Sequence, residues 1–141
     1  IPFAQRMTAS DLAAAAQGFI GAPFRLHGRD PAKGIDCIGL FAAAMRQCGH
    51  TVKVPSGYAL RLSCPAEWLP DPASYGFTQA SPTAAPGDVV LLSPGLAQLH
   101  LAIQGPDGLW IHAHAGLRRV VAQPSLPAGE VVGRWRLADE F

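Results

Sequence analysis

Apolar residues recur every three to four positions between residues 9 and 48, and in short runs of four or five beyond residue 86. The first pattern predicts two helices. One begins near Ser10, read as its N-cap, with Asp11 at the positive end, and runs through the four alanines Ala13 to Ala16 to a stop at Gly18 and Gly21-Ala22-Pro23. Phe19 and Ile20 are expected to anchor that end in the core. The other starts at Cys37, with Asp36 as N-cap, Phe41 and Met45 at i, i+4 spacing, Arg46 near its C-terminal end and Gly49 as its stop. The second pattern predicts strands at 88–92, 99–103, 109–113, 118–122 and 131–137, with a tight turn at Gly105-Pro106-Asp107-Gly108. Helices first and strands later indicate an α+β domain: N-terminal helices packed on an antiparallel half barrel of five to six strands.

Two stretches escape these periods. Residues 24–33 carry Arg25, His27, Arg29 and Asp30 and read as a polar loop. Residues 50–85 hold Pro55, Pro65, Pro70, Pro72 and Pro82, yet also Tyr58, Trp68, Tyr75 and Phe77. That many aromatics predicts an ordered insertion packed on the domain rather than a linker, with helical turns near 59–62 and 65–69.

Length and charge narrow the class. The 141 residues fit one domain, 1–141, with residues 1–9 as an N-terminal extension. Hydrophobic residues make up 49% and charged residues 15%, which excludes disorder. A net charge of +1 without a basic run argues against nucleic acid as a partner, and the apolar runs are too short for a membrane span. No secretory leader pattern is visible at the N-terminus, so the chain is expected to be made in the cytoplasm without export by the general route. Cys37, Cys48 and Cys64 are odd in number and lack C-x-x-C spacing, so neither a disulfide framework nor a zinc knuckle is indicated.

The candidate chemistry converges on Cys37. In the first turn of a helix, unpaired N–H groups and the helix dipole favour a thiolate, and Gly39 is expected to leave room for a substrate backbone. A hairpin through residues 105–108 places Ile103 near Leu109 and His100 near His112 on adjacent strands. One cysteine or one histidine alone is more often structural. Together they supply a nucleophile, a base and an orienting group: Cys37, His100 and His112. His114 shares the face of His112 and is the second choice for the third position; His27 and His50 receive no role. Zinc bound by Cys37, His100, His112 and His114 is disfavoured because a second well-placed cysteine is lacking, and no metal or cofactor is expected.

Ala22-Pro23-Phe24-Arg25-Leu26-His27-Gly28 followed by Gly34-Ile35-Asp36-Cys37-Ile38-Gly39-Leu40, with Pro86-Gly87-Asp88, His100 and His112 in order behind, resembles the NlpC/P60 cysteine peptidases over roughly residues 10–137. The resemblance implies a papain-like α+β fold and hydrolysis of the γ-D-glutamyl–meso-diaminopimelate bond, or a related amide, in peptidoglycan stem peptides. It makes residues 24–33 one wall of the substrate groove, with Asp36 beside the cleft to receive a free amino group and His114 at the rim. At Phe24 most relatives carry a tyrosine whose hydroxyl reaches toward the active site; here that hydroxyl is missing. A compact form resembles peptidases encoded among phage tail genes, which implies tail proteins as partners and delivery to the periplasm or cell wall with a phage-like particle. Two alternatives stay open: a non-catalytic tail assembly module with the same fold, and a Cys–His amidase or acyltransferase on another substrate.

Overall fold

The computed structural model describes residues 7–51, 76–93 and 100–138. Helix α1 spans Ala9–Gln17, and its N-cap is Thr8 rather than Ser10. Thr8 Oγ1 accepts from the Asp11 N–H at 3.2 Å while Asp11 Oδ2 accepts from the Thr8 N–H at 2.9 Å. This reciprocal pair needs an acidic side chain three residues after the hydroxyl, a spacing that Thr8 meets and Ser10 does not. Phe19 packs against the core, but Ile20 is 43% exposed, so only Phe19 anchors the helix end.

The end of the stretch 24–33, expected to loop, joins Gly34-Ile35 in a short hairpin in which β1 (Arg29–Asp30) pairs with β2 (Gly34–Ile35). Helix α2 (Cys37–Gln47) follows at once, capped by Asp36 as expected and ended by Gly49 at φ 94°. It is the central helix. Cys37 to Phe41 and Ala43 to Met45 are all buried, between α1 and the sheet. Full burial of side chains such as Leu40, Phe41 and Met45 stabilises by about 1.5–3 kcal/mol each.

The sheet contains β3 (Phe77–Gln79), β4 (Val89–Ser93), β5 (His100–Gln104), β6 (Trp110–His114), β7 (Arg119–Gln123) and β8 (Glu130–Leu137). All pairs are antiparallel, in the order β3-β8-β4-β5-β6-β7. The first four expected strands appear one residue further along, and β3 adds a sixth strand from the proline-rich region. Of that region, residues 52–75 lie outside the described residues, with the expected turns at 59–62 and 65–69 and with Tyr58, Trp68 and Tyr75. Phe77 is buried in β3, its ring centroid 5.7 Å from that of Phe41.

Both faces of the central strands are covered. Val89, Leu91, Leu101, Ile103, Ile111, Ala113 and Val120 join the helices in the main core. Val90, Leu92, Ala102 and Trp110 form a second cluster on the opposite face, with Ala84, Leu126 and Val131 against it. This is why these strands read as unbroken apolar runs.

The β5–β6 turn differs from expectation by two residues: Ile103 faces Ile111, not Leu109. Gly105 N–H donates to Leu109 C=O at 2.8 Å, leaving a three-residue loop with Gly108 at φ 85°. An even shift preserves the faces, so His100 and His112 remain on one side of the sheet.

Candidate active site

Backbone groups along a strand turn alternately to the two neighbouring strands. Gln104 donates to Asp88 C=O and accepts from Gly87 N–H on the β4 side, so Leu101 and Ile103 turn theirs toward β6. Pairing of β5 with β6 is confined to Ile103–Ile111 and Gln104–Trp110, and the strands separate beyond it. Into that opening comes the first residue of α2. The Leu101 N–H acts on the Cys37 thiol, which sets the sulfur against the start of β5, one residue along from His100.

The electrostatics at Cys37 run against the sequence expectation. Burial, reinforced by the neighbouring Asp36 carboxylate, pushes the thiol up to about 12. The N–H groups of Leu101, Ile38 and Cys37 pull the other way and do not compensate. Desolvation of a residue only 8% exposed outweighs the helix terminus and favours the thiol. Gly39 also departs from its expected role. A Cβ there would lie 2.1 Å from the Gly28 carbonyl oxygen, so the chain's own loop occupies the space assigned to a substrate backbone.

That loop is held by Asp36, which is 2% exposed. Its Oδ1 accepts from Gly39 N–H at 2.8 Å, as an N-cap does, and from Arg29 Nη1 at 3.2 Å; its Oδ2 accepts from His27 N–H at 2.8 Å. Asp36 thus ties the start of α2 to residues 27–29. His27, given no side-chain role by the sequence, serves through its backbone at φ 62°.

His100 Nε2 and His112 Nδ1 lie 2.8 Å apart, their rings edge-on at 85°. On its far side His112 Nε2 is 2.8 Å from Gln123 Oε1, and Gln123 Nε2 donates to Ser125 C=O at 2.9 Å. Burial, then His112 and His114, push His100 down to about 4. Burial also lowers His112, opposed by the Gln123 bond, with His114 lowering it further. His114 stands next to this pair, 5.5 Å from His112 between ring centroids, and its Nδ1 accepts from Leu117 N–H at 3.0 Å. Phe24 meets the same β6–β7 turn, its N–H donating to Arg118 C=O at 2.9 Å and its side chain packed on the core.

The structure therefore joins His100 to His112 and sets Cys37 at the N-terminus of the same strand. Gln123 was missed. The expected strand stopped at Ala122, and only the observed pairing of His112 with Val121 places residue 123 diagonally across from the imidazole. Among the described residues no His, Cys, Asp or Glu cluster is arranged to hold a metal ion, and no helix is long and apolar enough to cross a membrane.

With this geometry, the NlpC/P60 family model matches residues 21–129. The chain belongs to the NlpC/P60 family. Among solved structures, this NlpC/P60 domain is similar to the NlpC/p60 domain of the peptidoglycan hydrolase SagA, at 26% identity and TM-score 0.53 over 82% of this chain and 88% of that one. It is similar to the peptidoglycan hydrolase RipB from Mycobacterium tuberculosis at 20% identity and TM-score 0.60, over 94% of this chain and 65% of that one. NlpC2 from Trichomonas vaginalis aligns at 19% identity and TM-score 0.64, over 99% of this chain and 50% of that one. The last two speak to the fold alone, and this domain spans only part of their length. No curated protein matches the chain.

Proposed function

We propose that this NlpC/P60 domain is a cysteine peptidase that hydrolyses amide bonds of peptidoglycan stem peptides, at the γ-D-glutamyl–meso-diaminopimelate bond or a close relative. Membership of the family and likeness to SagA, a peptidoglycan hydrolase, support the substrate class. The observation that carries the chemistry is the His100–His112 pair at 2.8 Å, on the strand whose Leu101 N–H acts on the Cys37 thiol.

In this reading the resting thiol and imidazole are both neutral, so nucleophile formation is coupled to substrate binding. His100 takes the Cys37 proton as sulfur attacks the scissile carbonyl carbon. Negative charge develops on the carbonyl oxygen, within reach of the first-turn N–H groups of α2. The C–N bond breaks as His100 returns that proton to the leaving amine, leaving a thioester on Cys37. Water then adds, giving one proton to His100; collapse releases the acid and restores the thiol. His112 holds the His100 ring in place throughout. Phe24 and His114 are the substrate-facing residues of this proposal; Asp36, buried with both oxygens engaged, shapes the wall by fixing residues 27–29.

Purified peptidoglycan and a free L-Ala-γ-D-Glu-meso-diaminopimelate peptide are the test, digested by wild type beside Cys37→Ala and analysed by mass. Cleavage at the γ-D-glutamyl bond that vanishes in the variant is the expected result. A folded wild type that cleaves neither substrate favours the second reading, a non-catalytic assembly module, for which the burial of Cys37 speaks. Carriage by a phage-like tail is a separate proposal, checked by seeking the chain in purified particles.

A further inference from the structure

The contacts of Gln123 fix something that ring positions alone leave open. A carbonyl oxygen can only accept a hydrogen bond, so the Gln123 atom 2.9 Å from Ser125 C=O is the amide nitrogen. The other end, 2.8 Å from His112 Nε2, is then the amide oxygen, which also only accepts. His112 must therefore carry its proton on Nε2. Its Nδ1 is left as an acceptor, and His100 Nε2, 2.8 Å away, must be the donor. A neutral His100 then has its lone pair on Nδ1.

We infer that Gln123 is a positioning residue which, braced on the Ser125 carbonyl, sets the direction of every proton in the Gln123–His112–His100 chain and so leaves Nδ1 of His100 as the basic nitrogen. This deepens the peptidase reading and rests on it for its catalytic consequence. The tautomer assignment does not rest on it. Gln123 is half-buried on β7 and touches no reacting atom; it acts through His112. A merely structural Gln123 would need only its bond to the Ser125 loop. A polarity-setting Gln123 needs an acceptor facing His112. Among the described residues, the titratable groups that act with His112 are His100 on β5 and His114 on its own strand, and β7 brings Arg119 opposite His114 in the register.

The two roles separate in Gln123→Leu and Gln123→Glu. Glutamate keeps an acceptor toward His112 but cannot donate to Ser125 C=O. Long-range ¹H–¹⁵N spectra of the imidazole rings report the tautomers directly, without any turnover. Wild type is expected to show Nε2–H on both His100 and His112. Gln123→Leu is expected to mix the tautomers of both rings and lower kcat by about 10- to 100-fold with KM unchanged. Gln123→Glu is expected to restore Nε2–H and most of kcat, with the acid limb of the pH–rate profile raised by about one unit. An Nδ1–H tautomer at wild-type His112 overturns the inference, even if a variant fails to fold. So does Gln123→Leu with wild-type tautomers, or Gln123→Glu failing as Gln123→Leu does. A wild type that shows the expected tautomers but cleaves no stem peptide sinks the peptidase reading and leaves the proton order standing.

Discussion

A cysteine in the first turn of a helix looks activated from sequence, because unpaired N–H groups and the dipole favour the thiolate. At Cys37 burial wins instead, and the Asp36 carboxylate works in the same direction. The expected consequence is chemical: alkylation of Cys37 by iodoacetamide, followed by peptide mass analysis, keeps accelerating with pH up to about pH 10 and beyond. An ordinary thiol levels off near about 8.5. A plateau below pH 8 at Cys37 would mean that the thiolate is the resting form, contradicting the neutral pair. The residue scale also shows what a motif conceals. Asp36 precedes the cysteine in sequence, where capping alone accounts for it, yet its carboxylate also grips His27 and Arg29. Those two contacts bridge nine and seven residues, and no spacing rule for helix starts predicts them.

At the scale of elements, the junction of α2 with the 25–30 loop rests on three glycines packed backbone to backbone. Gly28 has no room for a Cβ, which would fall 2.0 Å from Gly34 O, and Gly39 has none because of Gly28 O at 2.1 Å. In a free helix, alanine at position 39 would gain about 1 kcal/mol over glycine. Here the clash is with main chain, which cannot swing aside as a flexible side chain does, and overpacking of this kind costs about 1–3 kcal/mol. Gly39→Ala should therefore be net destabilising, seen as a lower urea midpoint, and should weaken any stem-peptide cleavage as Asp36 and residues 27–29 shift. A stabilised Gly39→Ala would show that the loop yields freely. The strands teach a related lesson. Their existence and spacing were legible because each is a short apolar run between turn residues. The β5–β6 register was not, since Gly105-Pro106-Asp107-Gly108 allows more than one closure. The position of Gly108 in the left-handed region selects the three-residue loop.

For the whole molecule, the histidine pair couples the site to stability. Folded, His100 takes up a proton only near pH 4, against 6.5 for the open chain, and His112 is shifted the same way. Between those values the unfolded chain binds more protons, so stability rises with pH there and is lost as pH falls from about 6.5 toward 4. Urea titrations across this range should show that loss, and His100→Gln should flatten it; an unchanged slope in the variant would assign the acid sensitivity elsewhere. The sequence by itself determined the class of the fold, the two helices and five of the six main-sheet strands, and it nominated Cys37, His100 and His112 as candidates, since all of these are written in local period, turn residues and motif. Tertiary structure alone decided what the groups are worth. It buried Cys37 enough to keep it a thiol, opened β5 from β6 so that α2 could enter, and set Gln123 against His112. Each of these depends on desolvation or on register between distant strands, and neither quantity exists until the chain has closed on itself.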